Sequence, residues 1–173
     1  RFNRRLTSSS VEHSINISHD LKNVGFDNFA YLPESIGITY GDSEGFGFLI
    51  REAQPAPLLP QRYFIPFFSL YSQDIKNPDD KPLLIQMINR QEESPSEFVS
   101  NKIIIPLIES WCKTVNERGI LLEPHGQNTL LEVDSDLNPR RVIHRDFQSL
   151  MVDPLIRKRK GLDIPFKKHL IEV

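Results

Sequence analysis

Glu123-Pro124-His125-Gly126-Gln127-Asn128-Thr129-Leu130-Leu131-Glu132-Val133 and, past a polar turn from Asp134 to Pro139, Arg140-Arg141-Val142-Ile143-His144-Arg145-Asp146-Phe147 are the two runs that set the reading of this chain. Residues 129–133 and 140–144 are apolar-rich and branched, and the Asp-Ser-Asp-Leu-Asn-Pro segment between them is made of turn formers. That pattern predicts a β-hairpin with a connection longer than the tightest types. Hairpin pairing about the turn places Gln127 and Asn128 beside Arg145 and Asp146, so an imidazole, two amides, a guanidinium and a carboxylate converge at one end, with Glu123 close behind. Carboxylate and amide oxygens suit a hard cation, while Arg, His and amide N–H groups suit phosphoryl oxygens. The same residues also read as a hairpin rim whose polar ends are simply solvated, and spacing alone does not separate the two.

These residues resemble a known signature. Glu123 to Leu131 together with Val142-Ile143-His144-Arg145-Asp146-Phe147 is similar to the motif of the siderophore synthetases that act independently of non-ribosomal peptide synthetases, the aerobactin-synthetase-like family. Upstream, Leu32-Pro33-Glu34 leads to Gly47-Phe48-Leu49-Ile50-Arg51-Glu52, which resembles that family's glycine-strand-Arg-Glu segment. The likeness runs from about Tyr31 to Lys168.

The resemblance implies an α+β fold, with antiparallel β-hairpins packed against helices as in part of the palm region of those enzymes. It implies an ATP-dependent ligase that activates citrate or a related carboxylate as an acyl adenylate and condenses it with an amine or alcohol. By the same resemblance His125, Gln127 and Arg145 are the catalytic candidates, and His125, Gln127, Asn128 and Arg51 the nucleotide-binding ones. Asn128, Asp146 and Glu123 are the candidates for Mg²⁺. Iron would be bound by the product rather than by the protein. The synthetases are several times longer, so residues 31–173 are expected to form a partial domain behind a poorly readable segment, 1–30. A homo-oligomer or a complementary segment is the implied completion. The alternative is a truncated or inactive synthetase-like domain, acting as a subunit or remnant.

Composition narrows the classes. The chain has 173 residues, 39% hydrophobic and 25% charged, as in a globular domain with a sizeable core. A net charge of −2 supplies no reason to expect nucleic acid or an anionic membrane as partner. One cysteine, Cys112, excludes an internal disulfide and a cysteine-based zinc site, and beside Trp111 in a helical stretch it is expected to be a buried thiol. Neither a membrane-length apolar run nor a secretory signal pattern is seen, and a cytoplasmic location is the expectation.

The remaining segments carry local signals. Thr7 to Glu12 aligns on the family's phosphate-gripping Ser-x-Arg-Thr strand only with Val11 in place of Arg and Glu12 in place of Thr, which would repel phosphate. Residues 36–40 and 46–51, joined by the Gly41–Gly45 loop, form a second hairpin, with Arg51-Glu52 read either as a ligand contact or as an exposed ion pair. Tyr63 to Tyr71, broken by Pro66, is expected as an edge strand or two short extended pieces. Ser94-Pro95-Ser96-Glu97 opens a helix with a capping box, Gly119 closes it, and Pro106 should disturb it near 102–105. Phe98, Ile104, Leu107, Ile108, Trp111 and Val115 mark its expected buried face. Arg157-Lys158-Arg159-Lys160-Gly161 reads as a solvated basic loop, the alternative being contact with an anionic ligand or a partner. His144-Arg145-Asp146 also spells a protein-kinase tripeptide, but Met151 stands where an Asn is needed and no Asp-Phe-Gly follows.

Overall fold

The computed structural model describes residues 8–25, 28–40 and 46–166. The basic start (Arg1, Arg4, Arg5), Thr7, the Gly41–Gly45 loop and the last seven residues lie outside the described residues.

The hairpin predicted from the central signature is present. Strands β6 (Thr129–Val133) and β7 (Pro139–His144) pair antiparallel, Thr129 opposite His144 and Leu131 opposite Val142. Two further strands complete a four-stranded sheet. β4 (Tyr63–Pro66) lies antiparallel along β6 as an edge strand, and β1 (Phe29–Tyr31) runs parallel to β7 at the other edge. The parallel pair stands beside the expected antiparallel hairpins and is not itself legible in the sequence. Three residues carry no readable period, but Phe29, Ala30 and Tyr31 are all buried, and that burial selects the pairing.

One face of the sheet sends Leu131 and Val133 into a core with Leu70, Met87, Phe98 and Ile103. Leu130, Ile143, Ala30 and Leu32 form a smaller cluster. A third core joins Phe29 and Tyr31 to Ile17 and Leu21 of helix α1 (Ser8–Leu21), with Ile120, Phe147 and Leu150. Ser8 to Glu12 is therefore helical, and the phosphate-gripping strand is not formed by these residues.

β2 (Glu34–Tyr40) and β3 (Phe46–Arg51) make the second hairpin, with Glu34 opposite Arg51. Helix α1 packs on this ribbon so closely that a Cβ on Gly37 would collide with Val11. Opposite, Ile36, Ile38, Tyr40, Phe48 and Ile50 are exposed.

Several local expectations need correction. After Pro66 the chain turns into helix α2 (Phe67–Tyr71) instead of continuing extended. Proline's fixed φ and missing N–H suit the residue before a helix, and α2 buries Leu70. α3 (Leu83–Ile88) follows. The Ser94 capping box opens α4 (Pro95–Val99) as expected. Ser100–Ile104 then widens into one π-helical turn, leading into α5 (Ile105–Arg118), which ends at Gly119 with φ 64°. The widening frees the Pro106 ring from the carbonyl one turn earlier. It also inserts a residue and rotates the buried face, which now reads Phe98, Ile103, Ser110 and Thr114, leaving Ile104 and Ile108 exposed. Cys112 is exposed for the same reason.

β5 (Ile120–Leu121) and β8 (Met151–Val152) pair, and α6 (Pro154–Arg159) starts from an Asp153 cap. The basic run is thus the end of a helix rather than a loop. Arg157 is buried, pairing with Asp20 and donating to the carbonyls of Arg118 (2.8 Å) and Asp163 (2.7 Å). Among the described residues no helix is long and apolar enough to cross a membrane.

Candidate functional site

The site is built where β6 begins and β7 ends. The Arg145 N–H donates to the Asn128 carbonyl at 3.1 Å, and its Nε donates to the Gln127 carbonyl at 2.9 Å. Gln127, Asn128, Arg145 and Asp146 are therefore adjacent, as hairpin pairing requires. His125 and Gln127 are exposed, Glu123 and Arg145 are half-buried and Asn128 is buried. The loop is tightly turned: His125 N–H donates to the Glu123 carbonyl (2.9 Å), Asn128 N–H to the His125 carbonyl (2.9 Å), and Gln127 N–H to His125 Nδ1 (3.3 Å). Helix α2 supports it from below. Phe68 N–H donates to the Gly126 carbonyl at 3.2 Å, and a Cβ on Gly126 would lie 3.2 Å from the Tyr71 hydroxyl.

Asp146 follows β7 with φ 71°, a left-handed conformation in which a short polar side chain such as Asp is enriched. Arg51, at the end of β3, reaches across to it, Nη2 lying 3.4 Å from Asp146 Oδ1. The hairpins thus share one site, and Arg51 is not the exposed partner of Glu52, which instead accepts from Ser35 at 2.6 Å. Burial, the nearby Arg51 charge and, in the opposite sense, Asp146 together hold the Arg145 guanidinium below its ordinary pKa. The Arg51 and Arg145 guanidinium groups and the Asp146 carboxylate thus stand together, all partly open to solvent.

Sequence reasoning gave Glu34 no role. It is only 1% exposed, and one carboxylate oxygen accepts from Arg51 Nε (2.9 Å) and Nη2 (2.6 Å). The available signal was an acid directly ahead of an apolar strand. A buried His144–Ser110 contact (2.9 Å) and a buried Glu132–Arg141 pair also escaped the reading.

The predicted metal ligands are a weak set by themselves, since among the described residues no three His, Cys, Asp or Glu side chains gather as a cation site. One carboxylate with an amide nevertheless fits Mg²⁺, which is commonly held by one or two carboxylates plus substrate phosphates. A crevice of about 640 Å³ beside Phe29, Tyr31, Pro57 and Arg141 includes none of the predicted site residues.

No family model matches the chain, and no curated protein matches it in sequence. Solved structures do match. The petrobactin biosynthesis protein AsbB from Bacillus anthracis str. Sterne is 26% identical with a TM-score of 0.69, over 91% of this chain and 28% of AsbB. Aerobactin synthetase IucC from a hypervirulent pathotype of Klebsiella pneumoniae is 21% identical with a TM-score of 0.66, over 86% and 28% of the two chains. ATP-bound aerobactin synthetase IucA from the same source is 20% identical with a TM-score of 0.64, over 91% and 31%. The chain spans about three-tenths of the length of these proteins. Over nine-tenths of its own length, then, this chain has the fold of part of a siderophore synthetase of the aerobactin-synthetase-like family.

Proposed function

We propose that this chain forms part of an ATP-dependent ligase of siderophore biosynthesis. The observation that carries the reading is the meeting of Arg51, Arg145 and Asp146 beside the His125–Asn128 loop, within a fold shared with such synthetases. In the reaction, a carboxylate oxygen of citrate or a related acid bonds to the α-phosphorus of ATP, and the bond to pyrophosphate breaks. An amine or hydroxyl then attacks the acyl carbon, AMP leaves with the bonding pair, and the nucleophile gives up its proton.

His125 and Gln127, exposed on the loop, contact the substrate carboxylate and phosphate and stabilise charge as the adenylate forms. Arg51 and Arg145 hold anionic oxygens. Asn128 and Asp146, with Glu123 behind them, are the residues that would hold Mg²⁺. The ion supplies charge neutralisation on the phosphates when bound.

Calorimetric titration of the 173-residue chain with ATP in the presence of Mg²⁺ tests the reading, with Asp146→Asn as control. Binding that the substitution removes, followed by pyrophosphate release on adding citrate, is the expected result. Unchanged affinity in Asp146→Asn sinks the metal assignment. The three-tenths coverage of the synthetases also fits, no better than the first, a second reading: a truncated or inactive synthetase-like domain acting as a subunit or remnant without stand-alone catalysis. Nucleotide binding without pyrophosphate release distinguishes it.

A further inference from the structure

We infer that Glu34 is a positioning residue, which fixes the Arg51 guanidinium at the site and sets how Arg51 shares itself with Asp146; this rests on the ligase reading above. Glu34 is a buried carboxylate that accepts hydrogen bonds from three residues among those described. Oε1 accepts both Arg51 Nε and Nη2. Oε2 accepts the Ser14 hydroxyl and, at 3.4 Å, the Phe147 N–H, while the Glu34 N–H donates to the Ser18 hydroxyl at 2.8 Å. One residue therefore ties α1, β3 and the segment just after Asp146 to a single point. Buried charge is costly unless paired and fully hydrogen-bonded, and here both conditions hold.

The arrangement orders the two partners of Arg51. The Glu34 side chain is fully buried, whereas that of Asp146 is 41% exposed and lies 3.4 Å from Nη2. The closer, desolvated carboxylate dominates the pairing, because Coulomb attraction strengthens as distance and local dielectric fall. Nε and Nη2 both point to Glu34, so the long side chain is held as a fork in place before any ligand arrives. Without Glu34, the ion pair that Arg51 retains among the described residues is the one with Asp146. Arg51 would then collapse onto the residue proposed to hold the metal ion.

Two measurements on the 173-residue chain test this. In the ligand-free protein, the Arg51 Nε–H resonance, assigned with Arg51→Lys, is expected to be ordered and protected from exchange, and Glu34→Gln should lose that order while the helical circular dichroism persists. With nucleotide, Glu34→Gln should weaken Mg·ATP binding about ten-fold, the size of a lost charge-assisted hydrogen bond. The same change in an Arg51→Gln background should cost almost nothing more. Equal losses in both backgrounds, or an Arg51 resonance unmoved by Glu34→Gln, overturn the inference. If the glutamine variant does not fold, Glu34→Asp retains the charge but shortens the reach by one methylene, and the same loosening is expected. Failure of the unmodified chain to bind Mg·ATP defeats the ligase reading alone, since the Arg51 resonance still reports on positioning.

Discussion

Arg51 Nη2 stands 2.6 Å from Glu34 and 3.4 Å from Asp146, one guanidinium between a buried carboxylate and an open one. The open carboxylate is the one available to a ligand. Arg51→Gln should accordingly weaken nucleotide binding by about ten-fold, as expected for loss of a charged donor. Arg51→Lys, which keeps charge without the fork, should fall between. Calorimetry at two ionic strengths checks both, and the gap to the glutamine variant should narrow as salt rises.

His144 is fully buried against Ser110, and burial pushes its pKa down from 6.5 to about 3. The unfolded chain therefore binds a proton that the folded chain refuses between those values. Stability from this group is complete above pH 6.5 and is lost as pH falls, by about 1.4 kcal/mol per pH unit within the window. His144→Gln, which can still bond Ser110 but does not titrate, should flatten the profile. Urea denaturation of both proteins from pH 7 to pH 5 measures the difference.

Glu132 and Arg141 face each other across β6 and β7, both buried, and Arg141 also donates to the Pro57 carbonyl at 2.6 Å. Changing Glu132 to Gln strands a guanidinium in the interior and should cost about 3–5 kcal/mol. The double change Glu132→Leu with Arg141→Met removes both charges and should cost markedly less. Equal losses in the two variants would contradict this account.

Gly119 closes α5 at φ 64°, and a Cβ there would lie 2.8 Å from the Asp153 carbonyl oxygen. Gly119→Ala should destabilise the fold by about 1–2 kcal/mol from the left-handed backbone alone, with the contact adding to it. Thermal melting checks the direction.

The sequence by itself determined the features that act over a few residues. Turn formers between branched runs specify both hairpins, and the capping box and Gly119 bound the long helix. Hairpin pairing brings Gln127 and Asn128 to Arg145 and Asp146. In each case the groups that satisfy one another are neighbours along the chain or opposite across one turn, so local chemistry suffices. Tertiary structure alone decided the rest. The parallel seat of β1 beside β7 comes from burying Phe29 and Tyr31, and the turned face of α5 from relieving Pro106 against the core. The burial of Arg157 depends on Asp20 in a distant helix. Arg51 meets Asp146 across two hairpins that are distant in sequence, and Glu34, bonded to Ser14 of α1 and to the Phe147 N–H, lies where the two join. Contacts between residues so far apart are chosen by which arrangement buries apolar surface while leaving no charge unpaired, and no short stretch of sequence contains that choice.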